Sequence, residues 1–166
     1  GTASPPERVR PPSARSWRLR SPAALSANGP AADTDRVNGS AEAILASSLP
    51  RMRTLADVSV ELSPALRETV ERAYAVMVHA VYETLVIPGG LSEERRDAIQ
   101  RLGLEMSRTL SWDVIDELDG CFMEAVVEAA AEAGGTDLGR VTRAAVTVSN
   151  HFYDGFFAFN SQEAVE

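Results

Sequence analysis

Cysteine, histidine and lysine are all scarce in this chain of 166 residues. It has a single cysteine, Cys121, two histidines, His79 and His151, and sixteen basic residues that are all arginine. One cysteine excludes a disulfide within the chain. A structural zinc site needs about four Cys or His ligands, so the sequence predicts no such site.

Long apolar runs and catalytic motifs are missing as well. No window approaches the roughly 18 uninterrupted apolar residues that indicate a membrane-spanning helix. The hydrophobic share of 45% suits a soluble globular protein. The phosphate-binding loop, the dinucleotide-binding motif and the nucleophile elbow do not occur in the sequence. The sequence therefore favours a soluble protein that holds no cofactor or metal and is not an enzyme.

The charge of the chain is divided unevenly along its length. Residues 1–32 contain five arginines and one glutamate, whereas residues 33–166 contain eleven arginines and twenty-three acidic residues, a net charge of −12. Because like charges repel, this acidic body is not expected to bind nucleic acid. Only the basic N-terminal segment could contact phosphates.

The N-terminal segment has the composition of an extended or disordered tail. Residues 1–40 hold six of the nine prolines and show no apolar period. We expect this tail to make few contacts with the body and to bind a neighbouring protein through Trp17, Arg18 and Arg20. Its Arg- and Ser-rich composition is also typical of a processed targeting remnant, which leaves the compartment open between an intracellular one and an organellar lumen.

The rest of the chain predicts an all-α fold. A short helix over residues 41–49 is expected to end at Pro50, and a linker follows as far as residue 62. Residues 63–166 form the predicted bundle domain, in which apolar residues recur at three- and four-residue steps. The N-caps of its four helices are Ser63, Ser92, Ser111 and Asp137. We therefore predict a small four-helix bundle, ending near Phe159 and preceded by an extended tail rich in Pro and Arg.

The third predicted helix carries an aspartate array, formed by Asp113, Asp116 and Asp119. Aspartate-rich helices hold magnesium and diphosphate in prenyl-transferring and terpene-cyclising enzymes, but those sites need more helices and a second motif. We therefore interpret the array as a solvated acidic face. Asp119 is the exception, because it projects close to the apolar stripe and a buried carboxylate needs a partner. Arg95 and Arg101 are the candidate partners.

Both histidines are interpreted as surface or structural residues. A di-iron site in a helical bundle uses Glu-x-x-His pairs on facing helices. His79 precedes Glu83 and His151 precedes Asp154, so neither pair has this order. Haem ligation by His151 is a weaker alternative that rests on its aromatic neighbours in the sequence.

Aromatic residues concentrate in the last predicted helix, where five of the chain's ten lie between Phe152 and Phe159. At helical spacing Phe152, Phe156 and Phe159 fall on the apolar stripe, whereas Tyr153 and Phe157 turn towards another side. Exposed apolar patches mark interaction sites, so we expect Tyr153 and Phe157 to contact another subunit or partner. The alternative is a ligand pocket near this helix, with Asp119, His151, Phe152 and Phe156 as its candidate residues.

These observations support two hypotheses of function. The first is a non-enzymatic protein-interaction module, an accessory or scaffold subunit of a homo- or hetero-oligomeric assembly, which uses the tail and the aromatic C-terminal helix as contact surfaces. The second is a ligand-binding or sensor bundle that holds a small molecule in an aromatic pocket. An enzyme ranks last, because no catalytic constellation is found.

Overall fold

The structure, a computed structural model, describes residues 39–135 and 137–165, with side chains as far as residue 158. Five helices and no strand make up this described part of the chain. They are α1 (39–59), α2 (Pro64–Val86), α3 (Glu93–Ser107), α4 (Trp112–Ala133) and α5 (Leu138–Val165). The all-α prediction is confirmed, but the predicted count of four helices is wrong. Residues 1–38, and with them the predicted contacts of Trp17, Arg18 and Arg20, lie outside the described residues.

The fifth helix is α1. It begins near the short helix predicted over residues 41–49, but it continues through Pro50 instead of ending there. Proline has no N–H, so the carbonyl of Ala46 loses its partner within the helix. Both Pro50 and Ala46 are exposed, and water can therefore satisfy this carbonyl. The buried residues Ile44 and Met52 lie on either side of Pro50 on one stripe, and their burial favours a continuous helix.

α1 packs between α2 and α4 and runs antiparallel to both. Its ion pairs are Asp57–Arg67 at 3.0 Å and Arg53–Glu71 at 3.2 Å towards α2, and Arg51 with Glu128 and Glu132 towards α4. The hydroxyl of Ser40, at the start of α1, donates to the carbonyl of Gly134, just after the end of α4, at 2.8 Å. Exposed ion pairs contribute little to stability, so the apolar stripe of α1 provides most of its attachment.

The four predicted N-caps are confirmed. The acceptor side chains and the backbone N–H groups they bind are Ser63 with Leu66, Ser92 with Arg95, Ser111 with Val114, and Asp137 with Gly139. Each cap satisfies an N–H group that has no partner within the helix. The starts of α2 to α5 therefore follow directly from the sequence.

α5 lies at the centre of the body and packs against α2, α3 and α4. Its buried residues follow the predicted stripe and are Val141, Ala144, Ala145, Val148, Ser149, Phe152, Gly155 and Phe156. The helix continues to Val165, beyond its predicted end at Phe159, whose side chain lies outside the described ones. Among the described helices, none is both long enough and apolar enough to cross a bilayer.

Two glycines bring the backbones of α3 and α5 into contact. A methyl group on Gly103 would overlap the carbonyl oxygen of Phe152, and a methyl group on Gly155 would overlap the carbonyl oxygen of Gln100. Any larger residue at either position would push the two helices apart. This contact fixes how α5 is turned about its axis, and therefore which of its aromatic residues face the core.

Gly155→Ala is expected to lower the free energy of unfolding by about 1–3 kcal/mol, because the added methyl forces two backbones to separate. The matched control is Gly120→Ala in α4, since Gly120 is exposed and a methyl group there meets nothing within 4 Å. The control should raise the free energy of unfolding by roughly 0.5–1 kcal/mol, because alanine loses less conformational entropy in a helix. Urea denaturation measures both. A Gly155→Ala protein as stable as wild type would contradict the close contact.

Candidate functional site

An exposed group of aromatic rings lies where the start of α4 meets the second half of α5. Its members are Trp112, Tyr153 and Phe157, which we call the aromatic patch. The ring centroid of Trp112 lies 5.3 Å from that of Phe157 and 5.5 Å from that of Tyr153, and the Tyr153 and Phe157 rings stack at 6.0 Å. Centroid separations of about 4.5–7 Å are those of favourable aromatic pairs. The patch is therefore one contiguous surface built from two helices.

The burial of the aromatic residues divides α5 into two sides. Phe152 and Phe156 are 5% and 3% exposed, whereas Phe157 and Trp112 are each 45% exposed. Tyr153 is partly buried between the two groups. The core thus takes one set of rings, while Phe157 and Trp112 remain accessible to a partner. The predicted contact of Tyr153 and Phe157 with another protein stays a prediction.

Sequence reasoning missed Trp112, which is the ring that completes the patch. The capping role of Ser111 does place Trp112 at the first position of α4. Trp112 lies three residues before Ile115 and seven before Asp119, so the spacing places it on the same side of α4 as these residues, but it does not show which helix that side meets. The contact depends on how α4 and α5 pack, which is a tertiary property.

Asp119 links α4 to α5. Its carboxylate accepts a hydrogen bond of 2.6 Å from the Ser149 hydroxyl, and the Tyr153 hydroxyl lies near it. Burial raises the pKa of the Asp119 carboxyl, and its interactions with these two hydroxyl groups oppose that effect by favouring the charged form. The candidate partner Arg95 is instead bound to Glu83 of α2, with its closest N–O distance at 2.7 Å.

Arg101, the other candidate partner of Asp119, lines an open groove between α3 and α5. The hydrogen-bond partner of Asp119 is thus a hydroxyl group of α5 and not an arginine of α3. Sequence spacing could identify the carboxylate that needs a partner. It could not identify the partner, because a serine on a buried stripe looks like an ordinary core position.

A small cavity beside Asp119 bears on the predicted ligand pocket. Its volume is about 20 Å³, and apolar side chains of α2, α3 and α4 line most of it together with Phe152 and Tyr74. The Tyr74 hydroxyl donates to the carbonyl of Leu118 at 2.9 Å, and burial raises the pKa of that tyrosine. A cavity of this size has room for about one water molecule, whereas ligand pockets measure roughly 300–1,000 Å³.

The histidines and the cysteine lie apart from the patch and from one another. His79 is exposed, and its Nδ1 lies 2.8 Å from the carbonyl oxygen of Ala75. His151 is partly buried, with Nδ1 3.8 Å from a carboxylate oxygen of Asp154. Cys121 is buried, which raises its pKa and disfavours the reactive thiolate. Within the described residues no three His, Cys, Asp or Glu side chains are grouped to hold a metal ion.

The raised pKa of Asp119 predicts a pH-dependent stability. The folded chain keeps a proton on Asp119 at pH values where the unfolded chain, with an aspartate pKa of about 3.9, has lost it. The contribution of Asp119 to the free energy of unfolding is therefore lost as pH rises from about 3.9 through the raised pKa of the folded state. The Asp119→Asn variant lacks this loss, so it should gain stability relative to wild type across that window.

The control for this measurement is Asp113→Asn, which removes the same charge from an exposed position of the same helix. Urea denaturation of the three proteins at successive pH values between about 3 and 7 gives the comparison. We expect the difference from wild type to change with pH for Asp119→Asn much more than for Asp113→Asn. Equal pH profiles of the two variants would refute the burial of an ionisable Asp119.

Comparison with known protein families, curated proteins and solved structures finds no match to the chain. We therefore infer its function from the aromatic patch and from the side chains around it.

Proposed function

We propose that the protein is a non-enzymatic interaction module, an accessory or scaffold subunit of a larger assembly, that binds another protein through the aromatic patch. The single observation that carries this proposal is the mutual contact of Trp112 and Phe157, each 45% exposed. Both rings are large and apolar, and a position in the core would bury them more fully. They instead lie together at the solvent-exposed surface. Tryptophan, tyrosine and phenylalanine are the residues enriched where proteins bind proteins.

The rigidity of the patch supports the same function. Trp112 contacts Tyr153, Phe157 and the buried Phe156, so its ring is packed on one side although it is exposed on the other. The ring of Tyr153 stacks on that of Phe157 and meets that of the buried Phe152 edge-on. Side chains that are ordered before binding lose less conformational entropy when a partner covers them. The patch is therefore suited to contribute a large binding free energy for the surface area that a partner covers.

The sensor hypothesis has less support. The cavity beside Asp119 has a volume of only about 20 Å³, which suits a water molecule better than a ligand. The Asp119 carboxylate also accepts a hydrogen bond from Ser149, so it does not need a ligand to satisfy it. The accessible aromatic surface lies outside the body, where a protein partner fits better than an enclosed small molecule.

Phe157→Ala should mainly affect association with the partner, whereas Phe156→Ala should mainly affect the stability of the fold. Phe157→Ala is expected to weaken association about 30-fold, the effect of losing roughly 2 kcal/mol at an interface hot spot, while the melting temperature changes little. Phe156→Ala should cost roughly 3–5 kcal/mol of stability, because that ring is 3% exposed. Thermal melts of the purified variants measure the second effect.

Sedimentation velocity measures the association. Because the chain contains no lysine, an amine-reactive dye labels it only at the α-amino group. The labelled chain is followed alone and in an extract of the cells that produce it. Ile87→Ala is the matched control, since Ile87 is 46% exposed and lies in the connection after α2, away from the patch. If Phe157→Ala destabilises the fold as much as Phe156→Ala and leaves the sedimentation unchanged, the patch is core and the proposal fails.

A further inference from the structure

Two exposed carboxylates lie beside the aromatic patch. Asp116 lies one helical turn after Trp112 on α4, and Asp154 directly follows Tyr153 on α5. Burial raises the pKa of Tyr153, and the charges of Asp119 and Asp116 raise it further. An apolar contact surface with an acidic border selects the charge of whatever covers it.

The acidic border continues into an open groove between α3 and α5. This groove, which we call the acidic groove, has a volume of about 540 Å³. Among the side chains that the structure describes, its charged lining consists of Glu94, Asp97, Asp154 and Arg101, three carboxylates against one guanidinium. Its base is formed where Gly155 touches the backbone of Gln100. The groove is therefore a direct consequence of the close contact of α3 and α5.

The acidic groove and the aromatic patch lie on neighbouring faces of α5. Tyr153 and Phe157 belong to the patch, and the next residue after each, Asp154 and Ala158, lines the groove. Successive residues of a helix are turned by about 100°, so a partner lying across this helix can contact both surfaces at once. Its apolar side chains would reach the patch, and its polar side chains would reach the groove.

Charge identifies the class of this partner. The same surface of a second copy would bring Asp116 and Asp154 against like charges, since residues 33–166 carry a net charge of −12. The basic residues 1–32 of the chain contain six prolines, which argue against an amphipathic helix in that segment. Nucleic acids and anionic lipid surfaces are repelled by the same net negative charge. A basic protein surface is attracted instead, and arginine in particular can stack on an exposed ring such as that of Trp112.

On the basis of the proposed function, we propose that the partner is a basic amphipathic helix of another protein. Its apolar residues, one turn apart, pack on Trp112, Tyr153 and Phe157, and its arginine or lysine side chains lie along Asp116, Asp154 and the acidic groove. This is the arrangement by which an amphipathic helix docks in a surface groove. Because the charged contacts are exposed to solvent, salt weakens the complex.

Calorimetric titration of the full chain with designed peptides tests the inference. The probe is a 16-residue helical peptide, about four turns long, with leucine along one face and arginine along its flanks. One comparison peptide has glutamate at every arginine position, and another has the same composition in an order without an amphipathic face. We expect the arginine peptide to bind at least about tenfold more tightly than either comparison peptide, and less tightly as salt is added.

Variants of the chain then separate the two parts of the surface. Phe157→Ala should weaken binding of the arginine peptide about 30-fold. The double variant Asp116→Asn with Asp154→Asn should weaken it about tenfold and reduce its salt dependence. The matched control is Glu42→Gln with Glu124→Gln, which removes the same charge from exposed positions of α1 and α4 away from the patch. This control should bind the peptide nearly as well as wild type.

Three outcomes would overturn the inference. If the glutamate peptide binds as tightly as the arginine peptide and Phe157→Ala weakens both, the charge assignment is wrong while the aromatic patch still functions as an interface. If no peptide binds and the chain associates with itself through Phe157, the occupant is a second copy. If the control pair weakens binding as much as the double variant, the attraction is unspecific and the acidic groove has no role.

Discussion

The close contact of α3 and α5 determines how this protein presents its aromatic residues. Gly103 and Gly155 allow the two backbones to touch, and no side chain other than hydrogen fits at either position without displacement. With α5 held in this orientation, Phe152 and Phe156 enter the core while Phe157 remains half exposed. A rotation of α5 by about 100°, the angle between neighbouring residues, would bring Tyr153 and Phe157 to the positions that Phe152 and Phe156 now occupy. The exposed patch is thus a consequence of two glycines as much as of the aromatic residues themselves.

The hydrogen bond of Asp119 joins this orientation of α5 to α4. Asp119 lies on α4, and Ser149, whose hydroxyl donates to it at 2.6 Å, lies on α5 about one turn before Tyr153. Removing a carboxylate from water is unfavourable, and a charge-assisted hydrogen bond offsets part of that cost only when the hydroxyl group stays in place. A partly buried polar contact therefore supports the orientation of α5 that places the Tyr153 ring beside Trp112.

The sequence predicts local features of this fold well and its tertiary contacts only in part. The serine and aspartate caps are local, because side chain and N–H group lie within three residues, and all four predictions are confirmed. The ending of the first helix at Pro50 is wrong, because packing of α1 against α2 and α4 outweighs the local effect of proline. The contact role of Gly155 and the partner of Asp119 depend on the neighbouring helix, which spacing along one helix does not identify. Trp112 was missed for the same reason.

The most direct test of this account is the accessibility of individual rings in the isolated chain. Relaxation of aromatic ring protons by a soluble gadolinium chelate, observed by NMR, reports how closely solvent approaches each ring. The account predicts strong relaxation for Trp112 and Phe157, which are each 45% exposed, and weak relaxation for Phe152 and Phe156, which are 5% and 3% exposed. Similar relaxation of all four rings, or protection of Phe157 in the monomer, would contradict the orientation of α5 and with it the proposed binding surface.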